Sequence, residues 1–151
     1  MYKKILVAVD GSHCSDLALD QAIGLAATCG AELQVVHVID NGYLKYDMGY
    51  VDLTDLRAGL IKGGEELLAQ AREKAKAGHV SCKTVMVDEI LALGDIAHQI
   101  RQLVESSGAQ LVVIGTHGRH GMRRLLLGSV AESLVRLCPV PVLLVRAPEE
   151  T

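Results

Sequence analysis

Apolar and polar positions along the chain fall into two alternating periods. Five short, bounded runs are rich in Val, Ile and Leu: KILVAVD (4–10), ELQVVHVID (32–40), CKTVMVDE (82–89), AQLVVIG (109–115) and VPVLLVR (140–146). They predict strands, and several are nearly continuous, as expected of strands covered on both faces. Between them the apolar residues recur at helical spacing. Residues 13–29 put Ala18, Ala22, Leu25, Ala26 and Cys29 on one face, with Ser12 as N-cap and Gly30 as the stop. Residues 55–77 alternate leucine pairs with Glu, Lys and Arg and stop at Gly78. Residues 95–107 bring Ile96, Ile100, Leu103 and Val104 together before Gly108, and residues 130–138 are closed by Pro139. The order β-α-β-α-β-α-β-α-β predicts an α/β fold, a doubly wound five-stranded parallel sheet with helices on both faces, built as one domain over residues 1–151.

In such a sheet ligands gather at the carboxyl ends of the strands, where strand order reverses. Two strands end in distinctive turns. The first runs into Asp10-Gly11-Ser12, and the fourth into GTHGRHGMRRLLLGS (115–129). Order 3-2-1-4-5 makes the two strands neighbours at the reversal, so that both turns face one crevice. A strand-to-helix connection needs only a few residues, and this one takes about a dozen, with glycine at 115, 118 and 128. Gly115 and Gly118 predict close backbone approach to a ligand, helped by access to positive φ. Gly128 and Ser129 open the last helix, whose first N–H groups attract anions. Ser129 and Glu132 also read as a capping box, which leaves the hydroxyl able to donate to a phosphate. Arg119, His120, Arg123 and Arg124 read either as a solvated basic turn or as phosphate neutralisation. Asp10 is either an Asx turn or an acceptor for ribose hydroxyls. The connection 41–55, with three of the four tyrosines and no helical period, reads as an ordered surface loop, or as a lid or partner surface.

Composition narrows the classes. Half of the 151 residues are apolar, so a core can be buried, and with no Phe or Trp it has to be filled by Ala, Val, Leu and Ile. A net charge of −3 gives no global support for a nucleic-acid partner. No stretch approaches the roughly 18 apolar residues of a membrane span, so an integral membrane protein is not expected. The N-terminal apolar segment ILVAV ends in Asp-Gly rather than a cleavage site, which reads as a first strand of a cytoplasmic protein. Cys14, Cys29, Cys82 and Cys138 form no C-x-x-C pair and are expected as buried, reduced thiols, with no zinc or other metal site. The chain lacks G-x-x-x-x-G-K-[ST], G-x-G-x-x-G after its first strand, and G-x-S-x-G. Ser12, His13 and Asp16 share one helix turn, which cannot supply triad geometry.

The spacing G-x-x-G-x(9)-G-[ST], matched by Gly115, Gly118, Gly128 and Ser129, resembles the ATP-binding branch of the universal stress protein family. The likeness extends to KKILVAVDGS, VVHVID, the Gly94-Asp95 pair and GSVAESLVRLCPVPVLLVR, and departs from the family at Ile96, where proline is common. It implies ATP, carrying Mg2+, as ligand. Asp10 would hold the ribose, Ser12 would lie near the phosphates, and the Val38 main chain would bond the adenine edge. Gly115 would back the ribose, and Gly118, Gly128, Ser129 and Val130 would cradle the phosphates, with Arg119 beside them. The last strand, an apolar edge, predicts a homodimer through antiparallel pairing of Val142 to Val145, as the resemblance also implies; whether a larger assembly forms is left open, with the tyrosine-rich loop a candidate second contact. Two function classes stay open. One is a nucleotide-dependent regulatory module acting on a partner such as a transporter or an enzyme. The other is an ATP-hydrolysing or phosphotransferring enzyme, for which no carboxylate or histidine is evident as general base.

Overall fold

Burial of consecutive strand residues that point to alternate faces explains why two helical layers form. In β1 (Lys4–Ala8), Ile5 and Val7 face one side of the sheet and Leu6 the other, and all three are fully buried. A computed structural model describes residues 1–46, 52–92, 95–118 and 127–148. The elements that follow β1 are α1 (His13–Cys29), β2 (Glu32–Val38), α2 (Thr54–Ala77), β3 (Cys82–Val87), α3 (Ile96–Ser107), β4 (Leu111–Gly115), α4 (Ser129–Leu137) and β5 (Val142–Val145). The five strands form one parallel sheet in the order β3-β2-β1-β4-β5. Helices α1 and α2 cover one face with a core that includes Ile5, Val7, Ala18, Leu33, Val35 and Val113. Helices α3 and α4 cover the other, with Ile100 and Leu134 packed in one core with Leu6, Val36 and Val112 of the sheet. With no Phe or Trp available, three alanines of α1 (18, 22 and 26), each at most 1% exposed, let that helix lie close on the β-branched sheet.

Several strands are shorter than their apolar runs. Val9 and Asp10 lie beyond β1, and Ile39 and Asp40 lie beyond β2. A run of apolar residues continues as long as there is core to fill, whereas a strand ends where its ladder does. The connection after β2 holds a short 3-10 turn, Gly42–Tyr46, where no helical period was expected; residues 47–51 lie outside the described ones. Asn41 at its start is fully buried, so this end of the connection is anchored. Of the four cysteines, all free, only Cys14 is buried, and the expectation of four buried thiols is corrected to one. Partial burial raises the Cys82 thiol above its ordinary pKa against the lowering effect of the Arg72 charge, and this net rise favours the protonated thiol. Among the described residues no helix is long and apolar enough to cross a membrane.

Both ends of α1 and the start of α3 follow their expected caps, and the end of α2 does not. The Ser12 hydroxyl accepts from the Ser15 amide at 3.2 Å, and Gly30 closes α1 in the left-handed region (φ 64°). Asp95 caps α3 through the His98 amide at 3.2 Å; residues 93–94, with the Gly94 of the Gly-Asp pair, lie outside the described ones. At the end of α2, however, Gly78 has a negative φ (−86°), and the left-handed residue is His79, at φ 56°. The Val80 amide reaches back to the Ala75 carbonyl at 3.0 Å, which completes a Schellman-type closure around His79. Glycine is needed at 78 for space, since a Cβ there would stand 2.8 Å from Ile23 Cγ2 of α1. Two substitutions should therefore act in opposite directions. His79→Gly is expected to stabilise the fold by roughly 0.5–1 kcal/mol by removing left-handed strain. Gly78→Ala is expected to destabilise it by about 1–3 kcal/mol through overpacking on Ile23. Urea denaturation of both variants checks the pair; if Gly78→Ala were neutral, α1 would not confine that position.

Candidate functional site

The carboxyl ends of β1 and β4 lie side by side at the reversal, and α1 and α4 leave them toward opposite faces. Asp10 terminates the first of these turns. Its amide donates to the Ser15 hydroxyl at 3.0 Å, and its Oδ1 accepts from the Ser12 amide at 2.9 Å. This is an Asx turn, and Gly11 at φ 86° provides the left-handed residue within it. The carboxylate is thereby held in a fixed orientation toward the second turn, where Gly118 lies.

The three described glycines of the long connection, 115, 118 and 128, act through absent side chains. None is at positive φ, so the expectation of left-handed freedom at Gly115 and Gly118 is corrected. A Cβ on Gly118 would stand 2.6 Å from Asp10 Oδ2. One on Gly115 would be 2.9 Å from Cys14 Sγ and 3.0 Å from the Cys14 main chain, so this glycine lets α1 pack on β4. One on Gly128 would be 2.9 Å from the Thr116 carbonyl oxygen, which already accepts from the Gly128 amide at 2.8 Å. The end of β4 and the start of α4 are joined by that bond, with no room between them.

This contact also revises how α4 starts. Gly128, with extended backbone (φ −59°, ψ 153°), is the N-cap, and the Glu132 amide donates to its carbonyl at 2.9 Å. Ser129 is therefore the first helical residue, exposed, and no side chain caps this helix, so the capping box expected of Ser129 and Glu132 does not form. The Glu132 carboxylate instead pairs with Arg136 at 3.0 Å one turn on. The leading amides of α4 open onto the crevice without a competing cap.

A cavity of about 790 Å3 occupies that crevice, within the range of small-molecule sites. Asp10, Val38, Gly115, Gly118, Gly128, Ser129 and Val130 all line it. Ser12 does not, and its hydroxyl is engaged in capping α1. Arg119, with His120, Arg123 and Arg124, falls outside the described residues. Ile96, Ile100 and Ile114 give an apolar wall on the α3 side, and Tyr43, Leu56 and Leu60 another on the α2 side. Val38, the last residue of β2, also lines the cavity. The β1–β2 ladder finishes with the Val9 amide donating to the Val36 carbonyl at 2.9 Å, one residue pair short of it.

Behind the α2-side wall stands a polar cluster that the sequence does not announce. Arg57 pairs with Asp88, and the Asn41 amide donates to Asp88 Oδ1 at 3.0 Å. Asn41 Oδ1 in turn accepts from Arg57 at 3.2 Å and from the Tyr43 hydroxyl at 3.5 Å. The Tyr43 hydroxyl is the chief influence raising the Arg57 pKa, and Asp88 adds to it against desolvation. Three segments far apart in the chain are tied here, and each residue alone reads as loop or helix surface. Among the described residues no group of three or more His, Cys, Asp or Glu side chains is placed to hold a metal ion.

With this geometry in view, relatives can be compared. The universal stress protein family matches residues 1–146. The universal stress protein YxiE of Bacillus subtilis is 35% identical over 155 residues, spanning 97% of this chain and all of its own. The chain belongs to the universal stress protein family. A crystal structure of a family member from Burkholderia pseudomallei has the same fold, with a TM-score of 0.79 at 32% identity over 97% of both chains. A universal stress protein crystallised in complex with cAMP has a TM-score of 0.67 at 25% identity, over 96% of this chain and 97% of that one.

The cluster behind the wall gives the prediction of this section. Asn41→Ala should destabilise the protein by about 1–3 kcal/mol, because it strips a fully buried amide and leaves Asp88 and Arg57 short of partners. Asp88→Asn should destabilise it in the same direction. Chemical denaturation measures both; an Asn41→Ala variant as stable as the parent would show that the cluster contributes nothing to folding.

Proposed function

We propose that the cavity binds an adenine nucleotide, ATP carrying Mg2+, and that this universal stress protein works as a nucleotide-dependent regulatory module. The observation that carries the reading is the cradle itself. Gly118 and Gly128 sit where any Cβ would collide with Asp10 or Thr116, beside the uncapped start of α4. The Gly128 amide is taken by the Thr116 carbonyl, so it is the first amides of α4, from Ser129 on, that this surface offers to an anion, and the apolar walls next to it suit a base. One helix terminus contributes about 0.3–2 kcal/mol toward an anion, against the roughly 8 kcal/mol of micromolar affinity. Several loop amides and burial of the base have to supply the rest, and a nucleotide uses both. The family member crystallised with cAMP supports an adenine nucleotide as the class of ligand.

In this reading Asp10 accepts from the ribose hydroxyls, and its Asx turn, formed through Oδ1, is compatible with that role. The Val38 main chain bonds the adenine edge, and Gly115 backs the ribose. Gly118, Gly128, Ser129 and Val130 cradle the phosphates, with Ser12 and Arg119 in supporting positions. Mg2+ would be carried on the phosphates of the nucleotide, where it would offset their negative charge. Hydrolysis is at most slow, and the nucleotide state sets how the protein meets a partner such as a transporter or an enzyme. Catalytic-rate phosphate release from purified protein would instead make it an enzyme.

Thermal melting with and without ATP and Mg2+ tests the cradle. ATP should raise the melting temperature of the wild type. Gly118→Val should melt only modestly lower without nucleotide, yet lose the ATP-induced shift, because its Cβ takes the space beside Asp10 Oδ2. Asp10→Ala should weaken ATP binding about tenfold or more, as expected for hydrogen bonds to a charged acceptor. A Gly118→Val variant that keeps the full shift would sink the cradle.

We also propose a homodimer formed by antiparallel pairing of β5 across a two-fold axis. This strand lies at the sheet edge, Leu143 on it is 36% exposed, and Pro139 and Pro141 protect only its approach. Light scattering at micromolar concentration should return twice the chain mass, and a monomer there would count against the pairing.

A further inference from the structure

Resting on that nucleotide reading, we infer that His37 is a positioning residue of the site: its imidazole replaces the ladder bond at the end of β1, fixing the peptide that carries Asp10 and leaving the Val38 main chain to the ligand. His37 follows Leu33 and Val35 on the face of β2 covered by α2, so a core residue would be expected at this position. Its Nδ1 instead lies 2.8 Å from the Val9 carbonyl oxygen. A carbonyl only accepts, so Nδ1 carries the proton.

The direction of the backbone groups gives this bond its meaning. On β2 the odd-numbered amides turn toward β3, as Leu33 to the Ser81 carbonyl (2.8 Å) and Ile39 to the Val87 carbonyl (2.8 Å). The even-numbered groups turn toward β1, where the Val9 amide donates to the Val36 carbonyl. Carried one step further, the parallel ladder would send the Val38 amide to the Val9 carbonyl. The imidazole takes that carbonyl, and the β1–β2 pairing goes no further than Ala8 with Val36. Val38 thus keeps its main-chain groups on the cavity side, while the Val9 carbonyl, in the peptide linked directly to Asp10, is satisfied and held.

Helix α2 keeps the ring in place. A Cβ on Gly64 would stand 2.8 Å from His37 Cδ2 and 2.9 Å from Met86 Cε, so glycine there makes room for the imidazole. Val9, Asp10, His37 and Val38 all line the same cavity.

The experiment measures the affinity of purified full-length protein for ATP and for 2′,3′-dideoxyATP, which lacks the hydroxyls that Asp10 would hold. His37→Leu should weaken ATP binding about tenfold and shrink the preference for ATP over the dideoxy analogue. His37→Asn, whose amide nitrogen stands where Nδ1 did, should restore both to within about threefold of wild type. His37→Gln puts its nitrogen at the other ring position and should not, so the Asn and Gln pair decides even if the leucine variant fails to fold. In the Asp10→Ala background His37→Leu should not reduce the preference further. If His37→Leu and His37→Gln keep the wild-type preference while Asp10→Ala loses it, the positioning role is wrong and the nucleotide reading survives. If the wild type binds neither nucleotide, both fall.

Discussion

Backbone hydrogen bonding at the end of β1 is the constraint on which the site depends. A strand buried on both faces must satisfy every amide and carbonyl, and β1 is paired with β2 only as far as Ala8 and with β4 only as far as Val7. Beyond it the polar groups need other partners, and nearby side chains provide them. The Asp10 amide goes to the Ser15 hydroxyl, and the Val9 carbonyl to His37. The same geometry operates across the reversal, where the Thr116 carbonyl takes the Gly128 amide and the Thr116 amide goes to the Val145 carbonyl. The crevice is therefore walled by backbone held in place on both sides, which is what a binding site for a polar, charged ligand requires.

Cys14 links this arrangement to the edge of the sheet. Its thiol donates to the Val145 carbonyl at 3.0 Å, the same oxygen that accepts from the Thr116 amide, and it lies 3.6 Å from the Thr116 hydroxyl. The first turn of α1, the end of β4 and the end of β5 thus meet at one carbonyl. On the opposite side of the cavity, Asn41, Arg57 and Asp88 tie the end of β2, the start of α2 and the end of β3. Both junctions are polar, partly or wholly buried, and located where strands stop.

What was legible in the sequence was whatever local chemistry decides. The limits of α1 follow from Ser12 and Gly30, and the strand order from the alternation of elements and the position of the two distinctive turns. Seven of the nine expected site residues line one cavity for the same reason, because topology alone brings those turns together. Where a neighbour distant in sequence decides, the reading went astray. Gly78 looks like a left-handed stop until Ile23 is seen to fill the space beside it. Ser129 looks like a cap until Thr116 is seen holding Gly128. His37 sits in an apolar run, and Asn41 in an Asn-Gly turn; no local pattern points to a carbonyl 28 residues away or to a carboxylate 47 residues away.

The glycines lining the cavity that lack a Cβ for want of space divide by what occupies that space, and the division bears on which replacements related chains could have accepted. At 115 and 128 the obstacle includes main chain, of Cys14 and Thr116 respectively, which no second substitution removes. At 64 and 118 it is side chain only: His37 and Met86 for the first, Asp10 for the second. A larger residue at 64 or 118 can therefore be matched by a smaller one opposite, so these positions are free to change in pairs. Positions 115 and 128 have no such partner and can only stay as they are. Paired drift at Gly64 with His37, or at Gly118 with Asp10, is accordingly the trace that a lineage reshaping this crevice would leave.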